Sequence, residues 1–214
     1  MNNVLAVGGF SFVVILLLAI AEWLARRWRL EPELARKFAH VTCGLVAAAL
    51  PFFMSFGSIA VLCLLFIPFM VISRQWGFFP AVHQAERSTL GDLYFPLGVL
   101  LVALAFPERA PYIYGVLVMT VSDAVAGIVG KRFGRRGYRL CGAWKTYVGS
   151  GAFFGTTLLL TLITLTVGSG SYSVALATAI GMAVALTIVE GALGGGVDNV
   201  VLPGVSASLL TLTT

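Results

Sequence analysis

SDAVAGIVGKRFGRRGYRLCGAWKTYVGS, residues 122–150, carries an acid inside an apolar helix, a row of glycines and a basic loop. A carboxylate at membrane depth is costly enough to mark a functional site. Asp123, Gly127, Gly130 and Gly134 are spaced four, three and four apart, which puts them on one face of a helix. Glycines flanking the acid let a second backbone, or a ligand, come close to it. Below them Lys131, Arg132, Arg135, Arg136, Arg139 and Lys145 make a loop fit to hold an anion of high charge, such as a nucleoside triphosphate. A glycine-packed helix with ordinary cytoplasmic charge would explain the glycines and the arginines. It leaves Asp123 without a reason.

Outward from this stretch, the 214-residue chain is 59% hydrophobic and 11% charged, with a mean hydropathy of +0.97. That is the composition of an integral membrane protein, not of a soluble domain. The formal charge of +5 matters less than where the charges sit. Cys43, Cys63 and Cys141 form no CxxC pair, which argues against a disulfide framework. His40 and His83 are the only histidines and belong to no HExxH motif, so no zinc site is expected. The start, MNNVLAVGG, lacks a basic n-region, and positive charge follows its apolar run; a retained first helix is expected. Without a long linker or low-complexity segment, residues 1–214 read as one integral-membrane catalytic domain. Nothing in the chain points to nucleic acid as a partner.

Apolar runs near membrane length occur at Val4–Glu22, Ala39–Leu50, Ser58–Ser73, Leu93–Phe106, Tyr112–Gly130, Gly151–Val167 and Tyr172–Leu193. A last run, Val200–Thr214, reads as a short span or a re-entrant piece. The expected fold is therefore all-α: a polytopic transmembrane helix bundle of seven or eight membrane segments. The second helix should start before its apolar part. Pro32 suits a first turn, Glu31 and Glu33 suit the positive end of the dipole, and Pro51 stops the helix. Arg36 and His40, four apart, then share a face with Lys37 beside it. That basic turn reads equally as a headgroup anchor or as part of a site.

Of the 14 Lys and Arg residues, 13 fall in the odd-numbered connections and only Arg109 in the even ones. The positive-inside rule makes the odd connections cytoplasmic and the N-terminus external, in a cell (inner) membrane. The fifth and seventh helices then both descend to the cytosol, bringing Asp123, Glu190, Asp198 and Asn199 to one face. The third connection, QAERSTLGDLYFP, adds Glu86, Arg87, Ser88, Thr89 and Asp92 there. Every polar constellation thus gathers at one side of the membrane.

Asp123, Glu190 and Asp198 suit Mg²⁺, which takes one or two carboxylates together with phosphate oxygens. Lys131, Arg132 and Lys145 suit the neutralisation of a transferring phosphoryl group. The glycines at 149–151 and 194–196 let backbone N–H groups reach phosphates. There is no GxxxxGK[ST], no GxGxxG and no GxSxG. Phosphoryl or nucleotidyl transfer to a membrane lipid fits this inventory best, with the lipid entering between helices.

SDAVAGIVGKRFGR followed by WKTYVGS resembles the CTP-dependent lipid kinases: dolichol kinase, phytol kinase and the yeast-type diacylglycerol kinase. RSTLGDLYFP resembles their cytosolic loop, RKFAH their basic helix start and VEGALGGGVDN their late acidic segment. The resemblance implies CTP as donor, Mg²⁺ as cofactor and a membrane lipid alcohol as acceptor. By position it makes Asp123, Lys131, Lys145, Thr146, Asp198 and Asn199 nucleotide and metal residues, with Asp123 and Lys145 at the chemistry. Through RKFAH it adds Arg36, Lys37 and His40 to the nucleotide's surroundings. Where the family often has Glu before Gly-Ser, this chain has Val148, so any role of that Glu is missing or falls to Glu190. The central pattern is also similar to phosphatidate cytidylyltransferases. Those carry a further basic signature near their C-terminus, whereas no Lys or Arg follows Lys145 here. A third reading, a proton-coupled transporter with Asp123 as relay, has no use for the basic loop.

Overall fold

The computed structural model describes residues 3–83, 90–169 and 172–213. Glu86, Arg87, Ser88 and Thr89 of the third connection therefore lie outside the described residues, as does part of the Gly168–Ser173 turn. Among the described residues, eight longer helices follow the eight apolar runs, besides a single helical turn at Pro80–His83. They are α1 (Asn3–Trp28), α2 (Pro32–Ala49), α3 (Phe56–Gln75), α4 (Gly91–Ala105), α5 (Arg109–Phe133), α6 (Tyr147–Ser169), α7 (Tyr172–Ala192) and α8 (Asp198–Thr213). Four of them, α1, α3, α5 and α6, are long and apolar enough to cross a membrane; α4 and the 176–192 part of α7 are apolar but shorter.

The boundaries have local causes. Pro32 occupies the first turn of α2 after Glu31, and the chain passes into a short 3₁₀ turn at Leu50–Phe52, where Pro51 cannot continue the α-helical hydrogen bonding. Ser55 caps α3 by accepting from the Ser58 amide at 3.3 Å. Burial is arranged for lipid, with apolar side chains outside: Phe12 is 67% exposed, Leu64 56% and Ile188 61%. Thr120, Thr157, Thr161 and Ser206 are fully buried. Tyr112 donates to the Ala47 carbonyl of α2 at 2.9 Å, and the Tyr114 hydroxyl meets Thr161 of α6 at 2.7 Å.

Close helix approach rests on glycine. A Cβ at Gly98 would lie 1.9 Å from the Asn199 carbonyl oxygen, and one at Gly115 would lie 2.4 Å from that of Pro203. α8 is therefore seated directly on the backbones of α4 and α5. A Cβ at Gly44 would lie 2.2 Å from Thr120 Oγ1, which brings α2 equally close to α5.

Two features depart from a plain bundle. α5 contains a π-helical turn, Val118–Ser122, ending at Asp123. Such a turn breaks the α-helical phase and often marks a functional position. The other is a two-stranded antiparallel hairpin, β1 (Gly137–Leu140) and β2 (Ala143–Thr146). The stretch expected to be a basic loop is in part this hairpin: Lys145 lies on β2, paired with Tyr138. Cys141 and Gly142 both have positive φ (49° and 87°), the two-residue turn that matches hairpin twist. Cys-Gly lacks the usual Asn-Gly signature, so the hairpin is hard to read from sequence.

Candidate functional site

Asp123 stands immediately after the π-turn, and its partner comes from α2. Lys37 Nζ donates to Asp123 Oδ2 and also reaches the Asp123 carbonyl at 3.4 Å. Both side chains are nearly enclosed, at 8% and 11% exposure. The glycine next along α5 makes the contact possible: a Cβ at Gly127 would sit 2.9 Å from Lys37 Cε. So the glycine face receives a lysine near the acid. Further along it receives the hairpin. A Cβ at Gly130 would lie 2.7 Å from Thr146 Oγ1 and 3.3 Å from Gly149 Cα. Thr146 itself accepts from the Gly149 amide at 3.1 Å, ordering the start of α6.

A second buried ion pair lies across the hairpin, where Lys145 donates to Glu190 Oε1 near the end of α7. Burial lowers the Lys145 pKa, but the Glu190 carboxylate beside it outweighs this and holds the ammonium above the ordinary lysine value. Glu190 Oε2 is buried with no hydrogen-bond partner among the described residues. Val148, at 43% exposure, does not line the cavity described next; Glu190 is the carboxylate that faces Lys145.

The loop after α7 reaches α8 through Gly195 and Gly196, both left-handed (φ 70° and 94°), a conformation that glycine adopts without strain. Asp198 begins α8, accepts from the Asn199 amide at 3.1 Å and lies within electrostatic reach of Asp123, Lys145 and Lys37. Asn199 donates to the Gly91 carbonyl at 2.9 Å, tying the start of α8 to the start of α4.

These groups surround one cavity of about 1210 Å³. Of the residues singled out from sequence, Arg36, Lys37, His40, Asp123, Lys131, Lys145, Thr146, Glu190, Asp198 and Asn199 line it. Arg132 does not; it is exposed, with its guanidinium 5.7 Å from the Phe133 ring. Lys131 reaches across to Glu31 at 2.8 Å, and Arg36 makes a two-pronged pair with Glu33 at 2.7 and 3.2 Å. For Lys37 the headgroup-anchor reading is overturned, because its ammonium is buried on Asp123 rather than turned to the membrane surface. Reading the sequence missed three contributors to the cavity: Trp144, Ser150 and the Lys37–Asp123 pairing itself. Positive charge in the second helix was the available signal for that pairing, but 86 residues separate the partners.

Among the described residues, no three of His, Cys, Asp and Glu converge into a ready-made metal cage. That donor set still fits Mg²⁺ arriving with a triphosphate, which needs only one or two carboxylates from the protein. The unpartnered Glu190 oxygen and the Asp198 carboxylate are suitably hard ligands.

A narrower space adjoins this cavity. It lies among α1, α2, α3 and α4, measures about 100 Å³ and shares Arg36, His40 and Asn199 with the larger one.

No family model matches the sequence, and no solved structure matches it. Among curated proteins, a phytol kinase from Synechocystis sp. is 28% identical over 185 residues, which are 84% of this chain and 79% of the relative. The chain is thus similar to a phytol kinase over most of its length, and its motifs resemble those of the CTP-dependent lipid kinases. The alignment covers enough of the chain that the relationship is to the whole bundle and not to one helix pair. The likeness to a phytol kinase and the polar cavity rest on separate observations: one on sequence, the other on packing.

Proposed function

We propose that the protein is a CTP-dependent kinase that transfers the γ-phosphoryl group to the hydroxyl of a membrane lipid alcohol at the cytosolic face. The observation that carries the reading is the cavity, which gathers Asp123, Lys145, Glu190 and Asp198 from α5, β2, α7 and α8. The related phytol kinase supports a lipid alcohol as acceptor. The distribution of Lys and Arg supports eight spans, an external N-terminus and a cytosolic cavity.

In this reading the two buried ion pairs are exchangeable. Lys37 and Lys145 leave their carboxylates for phosphate oxygens, and Asp123 and Glu190 become free to face metal. A bound Mg²⁺ supplies neutralisation of charge on the phosphates. Arg36 and Lys131 add positive charge at the rim, and the glycine backbone at 194–196 admits close approach. The lipid oxygen forms a bond to the γ-phosphorus while the bond to the β-phosphate oxygen breaks. CDP leaves, and the hydroxyl proton passes to a basic group of the cavity.

A second reading is cytidylyl transfer to a lipid phosphate. Arg36 and Lys37 line the cavity and offer cations for a charged acceptor. CTP labelled at the γ-phosphate separates the two. Purified protein with Mg²⁺ and a panel of phytol, polyprenols and diacylglycerol should yield labelled lipid and CDP. In a parallel reaction supplied with phosphatidate, label found only in pyrophosphate, with phosphatidate consumed, would establish the second reading instead.

A further inference from the structure

We propose that the narrow apolar space beside the polar cavity holds the hydrocarbon tail of a single-chain lipid alcohol, with its hydroxyl at His40. This deepens the kinase reading and rests on it. Along α2 and into the 3₁₀ turn that follows it, Arg36, His40, Cys43, Val46, Ala47 and Leu50 all border this space. Their spacing of three or four residues is one helical face. That face is polar at its start, where Arg36, Lys37 and His40 line the large cavity, and apolar from Cys43 onward. It therefore forms a continuous track from the proposed phosphate cradle to a hydrocarbon-lined slot. Leu18, Leu62 and Val99 close the slot from α1, α3 and α4.

Dimensions select the occupant. From His40 to Leu50 the track runs ten residues, about 15 Å at a helical rise of 1.5 Å. That is about half the ~30 Å hydrocarbon core, the depth of one leaflet. At about 100 Å³ against about 1210 Å³, the slot is narrow and suits one chain better than the two tails of a diacylglycerol.

His40 is the junction, because it borders both spaces. Its Nε2 lies 3.2 Å from the Met119 carbonyl oxygen, which can only accept, so Nε2 carries the hydrogen and Nδ1 keeps a lone pair. Phe95 packs edge-on against the ring at 5.1 Å and holds it in place. Met119 lies one turn before Asp123 on α5, so the ring stands one turn deeper than the acid. An Nδ1 that accepts from the alcohol would hold the lipid oxygen between the slot and the phosphate cradle. His40 is thereby assigned to the acceptor rather than to the nucleotide.

The test uses a long straight-chain alcohol carrying a diazirine at its tail end, photolysed on purified full-length protein without nucleotide. Adducts should map to 43–50 of α2 and 62–70 of α3, and unlabelled phytol should compete while diacylglycerol does not. Adducts confined to outward side chains such as Phe12 and Leu64, or competition by diacylglycerol as strong as by phytol, would overturn the proposal. Cys43→Trp should raise the KM for the alcohol at least about tenfold, near 1.4 kcal/mol, with CTP binding unchanged. His40→Ala should raise the KM for the alcohol and lower kcat, again with CTP binding unchanged; loss of CTP binding instead would return His40 to the nucleotide. Should Cys43→Trp not fold, the adduct map on the unaltered protein decides. Slot adducts without any phosphoryl transfer would sink the kinase reading alone. Transfer with adducts elsewhere would sink this inference alone.

Discussion

Lys37 of α2 and Asp123 of α5 form a buried ion pair across 86 residues of sequence. The pair answers how a carboxylate survives inside this bundle: its counter-charge is brought to it by a helix that enters from the same side. Removing one member leaves the other buried without a partner, which typically costs about 3–5 kcal/mol. Lys37→Met and Asp123→Asn should each lower the unfolding temperature in detergent. The double variant should recover much of the stability and none of the phosphoryl transfer. A double variant with full activity would make the pair a structural brace only.

Lys145 should outrank the arginines near it. Arg135 and Arg136 are exposed and do not line the cavity, whereas Lys145 is held in it by Glu190. Lys145→Ala should reduce the rate by about a hundredfold or more, the scale for losing one charge-stabilising donor. Arg135→Ala with Arg136→Ala should stay within about twofold, a surface-scale effect. The pH profile gives an independent check. Because Glu190 raises the Lys145 pKa, its stabilising contribution is fully present below the unfolded lysine value of about 10.4. That contribution is lost only as pH rises through the still higher folded value. An alkaline fall in stability that is absent from Lys145→Met should therefore begin above about pH 10. A Lys145-dependent fall near neutrality would contradict the pairing.

The helical face of Asp123, Gly127, Gly130 and Gly134 was legible in the sequence, and so were the eight longer helices among the described residues, because both depend on local spacing and hydropathy; the short helix Pro80–His83 was not read. The convergence of Asp123, Glu190 and Asp198 was legible through charge sidedness. What local pattern does not encode is which cation meets which acid. Lys37 to Asp123 and Lys145 to Glu190 are decided by helix packing, through Gly44 and Gly127 in the first case and the hairpin in the second. The hairpin itself escaped because its turn is Cys-Gly and its strands are four residues long.

Gly130 offers a test of the hairpin's seat. Gly130→Ala would drive a methyl to 2.7 Å from Thr146 Oγ1, shifting β2 and Lys145 with it. We expect a loss of about 1–3 kcal/mol in stability, the range for overpacking, and a fall in transfer rate larger than that loss explains. Gly151→Ala is the control, since nothing lies within 4 Å of its added Cβ. It should be neutral or stabilising by up to about 1 kcal/mol. Equal effects at both positions would mean that helix propensity, not the contact, is being measured.

Cys141 is a built-in reporter of sidedness. It is exposed at the hairpin tip, while Cys43 and Cys63 are buried. A membrane-impermeant maleimide should leave Cys141 unlabelled in intact cells and label it after permeabilisation. Labelling from outside would place the cavity on the opposite face and remove CTP as a reachable donor.

The seat of α8 on Gly98 and Gly115 bears on biogenesis. Asp198 and Asn199 are translated after every other residue of the cavity, yet Asn199 is what fastens α8 to α4 at Gly91. Until α8 is seated on Gly98 and Gly115, the cavity lacks the wall that Asp198 and Asn199 supply. On the proposed function, nucleotide binding would wait for that seating, and α8 would act as the latch on a pocket that the earlier helices leave open.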